Sequence, residues 1–93
     1  MAKISWTKWS LKDLRLIYDY ISIDSPFYAE RFISKIISRV DQLENMPLSG
    51  RIVPEKDDPS IRELIEGNYR IFYKVNKTNI SILRIHNSAR EIK

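Results

Sequence analysis

Three apolar segments separated by very short polar breaks restrict this chain more than any other feature. Residues 61–65 (IRELI), 69–75 (YRIFYKV) and 80–86 (ISILRIH) are rich in β-branched and aromatic side chains, which suit a pleated, half-buried surface. Glu66-Gly67-Asn68 and Asn76-Lys77-Thr78-Asn79 supply the turn chemistry between them. Glycine adopts positive φ without penalty, and asparagine tolerates it better than most residues. Breaks this short force antiparallel neighbours, because a parallel pair needs a long crossover. The segment therefore predicts a three-strand meander. Alternation puts Tyr69, Ile71, Tyr73 and Val75 on a core-facing side, and Arg70, Phe72 and Lys74 on the other.

Ahead of the meander the apolar period lengthens from two to between three and four. Leu11, Leu14, Ile17, Tyr18 and Ile21 form one helical stripe, with Lys12, Asp13, Arg15 and Asp19 mostly off it. This helix opens at Thr7 or Ser10 and runs to about Ile23. Ser25 then suits an N-cap, and Pro26 at the first helical position loses no hydrogen bond. The second helix carries Ala29, Phe32, Ile33, Ile36, Ile37, Val40 and Leu43 on a broad face. It stops by Met46, because Pro47 disfavours helix in the residue before it. So short a link makes the pair an antiparallel hairpin. Ile4-Ser5-Trp6 reads as a short strand that must pair with the meander, since a lone strand is marginal. Residues 47–60, with three of the four prolines, read as a loop that is mobile around residues 55–59. The expected architecture is α+β, in the order β-α-α-β-β-β. A single domain over residues 1–93 packs its N-terminal helical hairpin on a small antiparallel sheet and leaves the other sheet face open.

Charge divides the chain at the same place. Residues 60–93 hold seven bases against three acids, whereas residues 1–59 balance nine against nine, so the whole net charge of +4 falls on the meander and tail. A basic sheet fits a polyanion, an acidic partner or simply a solvated face. Cysteine is absent and there is one histidine, so no metal site of ordinary composition is expected. With only Gly50 and Gly67, no glycine-rich phosphate loop is available, and no cofactor is expected. No apolar run approaches the roughly 18–20 residues of a membrane span. The first ten residues lack the apolar core of a signal peptide. The expected location is cytoplasmic, with no membrane partner.

Several residues carry both a functional and a structural reading. His86 is the one side chain whose unperturbed pKa lies near neutrality, so it is a general-base candidate, or else a hydrogen-bonded residue holding the C-terminal turn. Arg70 is a phosphate or partner contact, or an ion pair with Glu63 on the adjacent strand. Phe72 stands between two bases and could stack on a nucleotide or anchor a peptide. Tyr20, Ile23, Phe27 and Tyr28 gather at the hairpin turn, in excess of what so small a domain buries, and mark a binding patch. Trp6 and Trp9 flank the first helix as core or interface residues.

Leu11-Lys12-Asp13-Leu14, Asp24-Ser25-Pro26, Pro47-x-x-Gly50-Arg51, Ile61-Arg62-Glu63-Leu64, Tyr69-Arg70-Ile71-Phe72-Tyr73 and Ile85-His86-Asn87-Ser88-Ala89-Arg90 follow one another in an order that resembles the ParE/RelE superfamily. These are the toxin halves of type II toxin–antitoxin modules, and the resemblance runs from Trp6 to Arg90. It implies a cognate antitoxin partner, with Tyr20, Ile23, Phe27, Tyr28 and Phe72 as its expected contacts. It also implies one of two activities, which the site must separate. ParE-like members poison DNA gyrase without catalysis, through a contact surface expected here at Arg62, Arg70, Arg84 and Arg90. RelE-like members cleave mRNA on the ribosome, which requires proton transfer and phosphorane stabilisation without a metal. In that reading Arg70 and Arg90 match the two phosphate-binding arginines and His86 does acid–base work. The family's two lysine positions, however, fall on Ile61 and Glu63, and the chain ends at Lys93 before the family's tyrosine. Arginine binds phosphate but is a poor proton shuttle. The gyrase reading is therefore the principal expectation. Endoribonuclease activity and a homologue that keeps only antitoxin binding are the alternatives.

Overall fold

The computed structural model describes residues 2–88. Its elements are β1 (Lys3–Trp6), α1 (Lys8–Ser22), α2 (Pro26–Asp41), β2 (Arg51–Ile52), β3 (Ile61–Glu66), β4 (Tyr69–Val75) and β5 (Asn79–Asn87). A single 3-10 turn, Gln42–Glu44, continues α2. The five strands form one sheet in the order β1-β5-β4-β3-β2. The meander has the expected strands and turns, and Gly67 takes the positive φ (59°) that its turn requires.

Two features of the sheet depart from expectation. It is mixed, because β1 lies parallel to β5, from Lys3 opposite Asn79 to Trp6 opposite Ile82. The helices and most of the meander intervene between those strands, so no tight turn dictates their direction. The second departure is β2, a strand inside the expected loop, where Arg51 pairs with Glu63 and Ile52 with Arg62. Two residues are too few for alternation to register in sequence. The rest of the loop carries hydrogen bonds of its own. Lys56 N donates to Val53 O at 3.1 Å, and Asp58 Oδ1 accepts from Ser60 N at 2.9 Å.

Both helix starts follow their caps. Thr7 Oγ1 accepts from Ser10 N, and Ser25 Oγ accepts from Tyr28 N with Pro26 entering the first turn. The core lies between the hairpin and one sheet face. Ile17, Ile36, Val40, Leu43, Leu64, Ile71, Tyr73, Ile80, Ile82 and Ile85 form it. Each buried Leu or Ile there contributes roughly 2 kcal/mol. The buried residues of α1 are Ser10, Asp13 and Ile17, with Leu14 and Ile21 beside them, while Leu11 is exposed. The inward face is thus turned from the expected stripe, and it admits a carboxylate.

The sheet explains why. β1 covers β5 only as far as Ile82, and β2 covers β3 only at Arg62 and Glu63. A strand edge left bare exposes unpaired backbone groups. Here helix side chains take the missing strands' place. Asp13 Oδ2 accepts from Ile85 N at 2.9 Å, and Arg39 Nη2 donates to Ile65 O at 3.3 Å. A bulge assists on β5: Phe72 opposes Arg84 while Tyr73 opposes Ile82, leaving Leu83 as the extra residue. The bulge lets Ile82 and Ile85 both face the core, and Arg84 reaches Asp13 on α1, with Nε–Oδ2 at 2.9 Å.

Candidate functional site

The sheet face away from the helices gathers Glu63 from β3, Arg70 and Phe72 from β4, and His86 from β5. The register sets Glu63 opposite Phe72 and Arg70 opposite His86. Glu63 has a side chain with no exposed surface, and two arginines neutralise it. Arg51 Nε donates to Glu63 Oε2, and Arg70 Nε donates to Oε1 at 2.6 Å. The outer edge of the Arg70 guanidinium is taken by Glu55 from the β2–β3 loop, with Nη1–Oε2 at 3.1 Å and Nη2–Oε1 at 3.0 Å. Donating hydrogen bonds to Glu55 and then to Glu63 pushes the Arg70 pKa further above its already high value. The same contact with Arg70 holds the Glu55 carboxyl below its ordinary value. Beneath lies Phe72, its ring centre 4.9 Å from Arg70 Cζ, and His86 stands edge-on to that ring at 5.6 Å. His86 is exposed.

The other expected contact residues are also engaged. Arg84 pairs with buried Asp13, which raises the guanidinium pKa. Arg62 donates to the carbonyls of Leu48, Gly50 and Pro59, and so fixes both ends of the loop between α2 and β3. Arg90 lies outside the described residues. The Pro47-x-x-Gly50-Arg51 sequence has a structural basis here. Tyr73 Oη accepts from Gly50 N and donates to Pro47 O, both at 2.9 Å. A Cβ at Gly50 would lie 2.5 Å from that hydroxyl and 2.6 Å from the Glu63 carbonyl. Burial pushes the Tyr73 pKa up, so it remains a neutral hydroxyl at this crossing. Among the described residues no group of His, Asp and Glu is arranged to hold a metal ion.

A second surface lies at the hairpin tip. Tyr20, Ile23, Phe27 and Tyr28 are between 54% and 80% exposed. Trp9 and Leu16 are exposed as well and share the Tyr20 side of α1, so Trp9 is not a core residue. A groove of about 330 Å³ runs beside this face, between Leu16, Tyr20, Tyr69 and Ile85. Phe72, expected among the same contacts, sits instead on the opposite sheet face beneath Arg70. The five residues therefore form two surfaces. Residues that the sequence reading missed are Glu55, Arg51 and Asp13. The Arg70–Glu63 pair was legible from strand register, but nothing in the loop's composition singles out Glu55.

The sequence matches, over residues 4–92, the family described as the ParE toxin of the parDE type II toxin–antitoxin system. The chain belongs to that family. A curated relative of this ParE-family toxin is Toxin RelE2 of Caulobacter vibrioides, 35% identical over 91 residues, covering 97% of this chain and 99% of the relative. Among solved structures, the chromosomal ParDE toxin–antitoxin system from P. aeruginosa superposes with a TM-score of 0.77 at 29% identity, over 94% of this chain and 96% of that one. The RelBE2 toxin–antitoxin complex from Mycobacterium tuberculosis shares the fold, with a TM-score of 0.68 at 19% identity over 92% and 96%. Among the described residues no helix is long and apolar enough to cross a membrane.

Proposed function

We propose that this ParE-family toxin is a non-catalytic poison of DNA gyrase in the cytoplasm, neutralised by a cognate antitoxin. The observation that carries the reading is the state of Arg70. At the position where a ribosome-dependent nuclease would bind phosphate, its Nε is bound to Glu63 and both Nη atoms to Glu55. Glu63 occupies a position at which the nuclease pattern has a lysine, and it is a buried structural anchor. The antitoxin would cover the apolar hairpin tip, where exposed aromatic side chains offer the anchors a partner helix needs. Contact with gyrase falls to Arg84, whose side chain is half exposed at the β5 edge, and to Arg90.

Purified protein at micromolar concentration should inhibit supercoiling and accumulate cleaved plasmid with gyrase, and antitoxin should relieve both effects. An Arg90→Glu variant should lose toxicity with cellular RNA intact throughout. Degradation of mRNA on expression of the wild type would refute the gyrase reading. The ribosomal-nuclease reading has one observation of its own, the exposed imidazole of His86 directly across from Arg70. It requires that His86→Ala abolish toxicity in a folded protein. A protein inert in both assays that still binds antitoxin would be a homologue without activity.

A further inference from the structure

Arg70 holds two carboxylates of very different standing. Glu63 is wholly buried and shares its charge with Arg51, whereas Glu55 is carried on a loop and its side chain is 58% exposed. The Arg70 side chain is only 13% exposed, so its guanidinium plane is fixed from behind by Glu63 and from below by Phe72. What it presents outward is a rigid two-donor fork, the geometry that matches a carboxylate in bidentate fashion. Glu55 fills that fork as an external ligand would. We propose that the outer edge of Arg70 is a binding site for an acidic side chain of a protein partner, and that Glu55 occupies it in cis until the partner displaces it.

The neighbours favour a protein carboxylate over a nucleic-acid backbone. Phe72 lies under the fork, and Ile65, directly across from Arg70, is exposed on β3. Apolar groups beside the fork can hold the segment that delivers the acid. A nucleic-acid backbone needs several uncompensated cations in a row. Here Arg51, Arg62 and Arg84 are each occupied by carboxylates or carbonyls, and Lys74 is the one further base of β4 on this face, a single cation and not a row. Once Glu55 leaves, the Arg51, Glu63 and Arg70 group carries a single net positive charge, which suits one carboxylate. The loop supplies Glu55 at the high effective concentration of a short tether. A lone carboxylate in solution therefore competes poorly, and a partner with added apolar contacts competes well. The inference does not depend on which cellular target the toxin poisons.

The test follows the Arg70 Nε–Hε resonance in a ¹⁵N-labelled full chain. The probe is a blocked Leu-Glu-Leu tripeptide, with its Leu-Gln-Leu counterpart as control. Because a site open only a fraction of the time binds with its affinity reduced by that fraction, closure for nine-tenths of the time weakens binding about tenfold. Glu55→Ala should therefore show a saturable shift with the acidic peptide, at least about tenfold tighter than wild type, and none with the control. Glu55→Gln preserves side-chain size and should behave in the same way, which guards against a loop loosened by the alanine. Equal affinity in wild type and both variants, or no acidic-peptide binding in either variant, overturns the proposal. Tighter binding of a ten-nucleotide RNA than of the acidic peptide at Arg70 of Glu55→Ala, at matched salt, overturns the assignment to a protein partner.

Discussion

A carboxylate without water-facing surface depends on its partners, and Glu63 has two. Removing one side of a buried ion pair leaves the other uncompensated, at a cost of about 3–5 kcal/mol. Arg51 is largely exposed and Arg70 retains Glu55, so both keep some solvation or pairing when Glu63 is lost. Glu63→Ala should consequently sit near the lower figure, about 3 kcal/mol in urea unfolding. Glu55 responds to pH in a defined direction. Its folded pKa lies below the ordinary 4.5, chiefly because Arg70 donates to it. A depressed carboxyl stabilises the folded form fully above the unfolded value and loses that contribution as pH falls through the folded one. Asp58, depressed by its bonds from Ser60, acts in the same direction. The loop should thus stay closed above about pH 4.5 and loosen as pH falls below it, through the folded value. Hydrogen-exchange protection of the Lys56 amide, corrected for intrinsic rate, reads this, and protection that falls at no pH below about 4.5 would count against a loop held by Glu55.

At the scale of elements, strand edges decide where charge is buried. Asp13 stands where a longer β1 would have continued along β5, and its carboxylate serves the Ile85 amide and Arg84 together. Asp13→Ala leaves that amide without its acceptor and should cost about 2 kcal/mol. It also bares an edge, so the variant should self-associate in size-exclusion chromatography where Asp13→Asn, which keeps an acceptor oxygen, remains as the wild type. These same edges mark the limit of what could be read in the chain. The meander was legible because residues 61–86 are rich in β-branched and aromatic side chains between recognisable turns, and both helix caps because Thr7 and Ser25 carry their own acceptors. Asp13 was not, since a polar residue turns inward here only because β1 stops at Trp6, a fact of pairing rather than of pattern. β2 has two residues and no alternation. Arg70's pairing with Glu63 followed from adjacency on neighbouring strands, but Glu55 reaches Arg70 across a loop whose path no local rule sets.

For the molecule as a whole, the helical hairpin covers one sheet face and leaves its own tip uncovered. Ile23, Phe27 and Tyr28 are so exposed that they contribute little to the core. Phe27→Asp should therefore leave unfolding within about 0.5 kcal/mol of wild type. It should weaken antitoxin binding by more than about 1 kcal/mol, about fivefold, in calorimetry. Equal antitoxin affinity would remove the tip from the interface. The sheet order has a consequence for how the toxin is made. β5 lies between β1 and β4, and its first residues pair with the first strand of the chain. A growing chain that has not reached Asn79 holds the outer strand and the other three with nothing to join them. Contacts so distant in sequence form only after the intervening loops are closed. The sheet is therefore complete only once β5 has been made, and a message cut short before β5 yields a fragment without the toxin's surface.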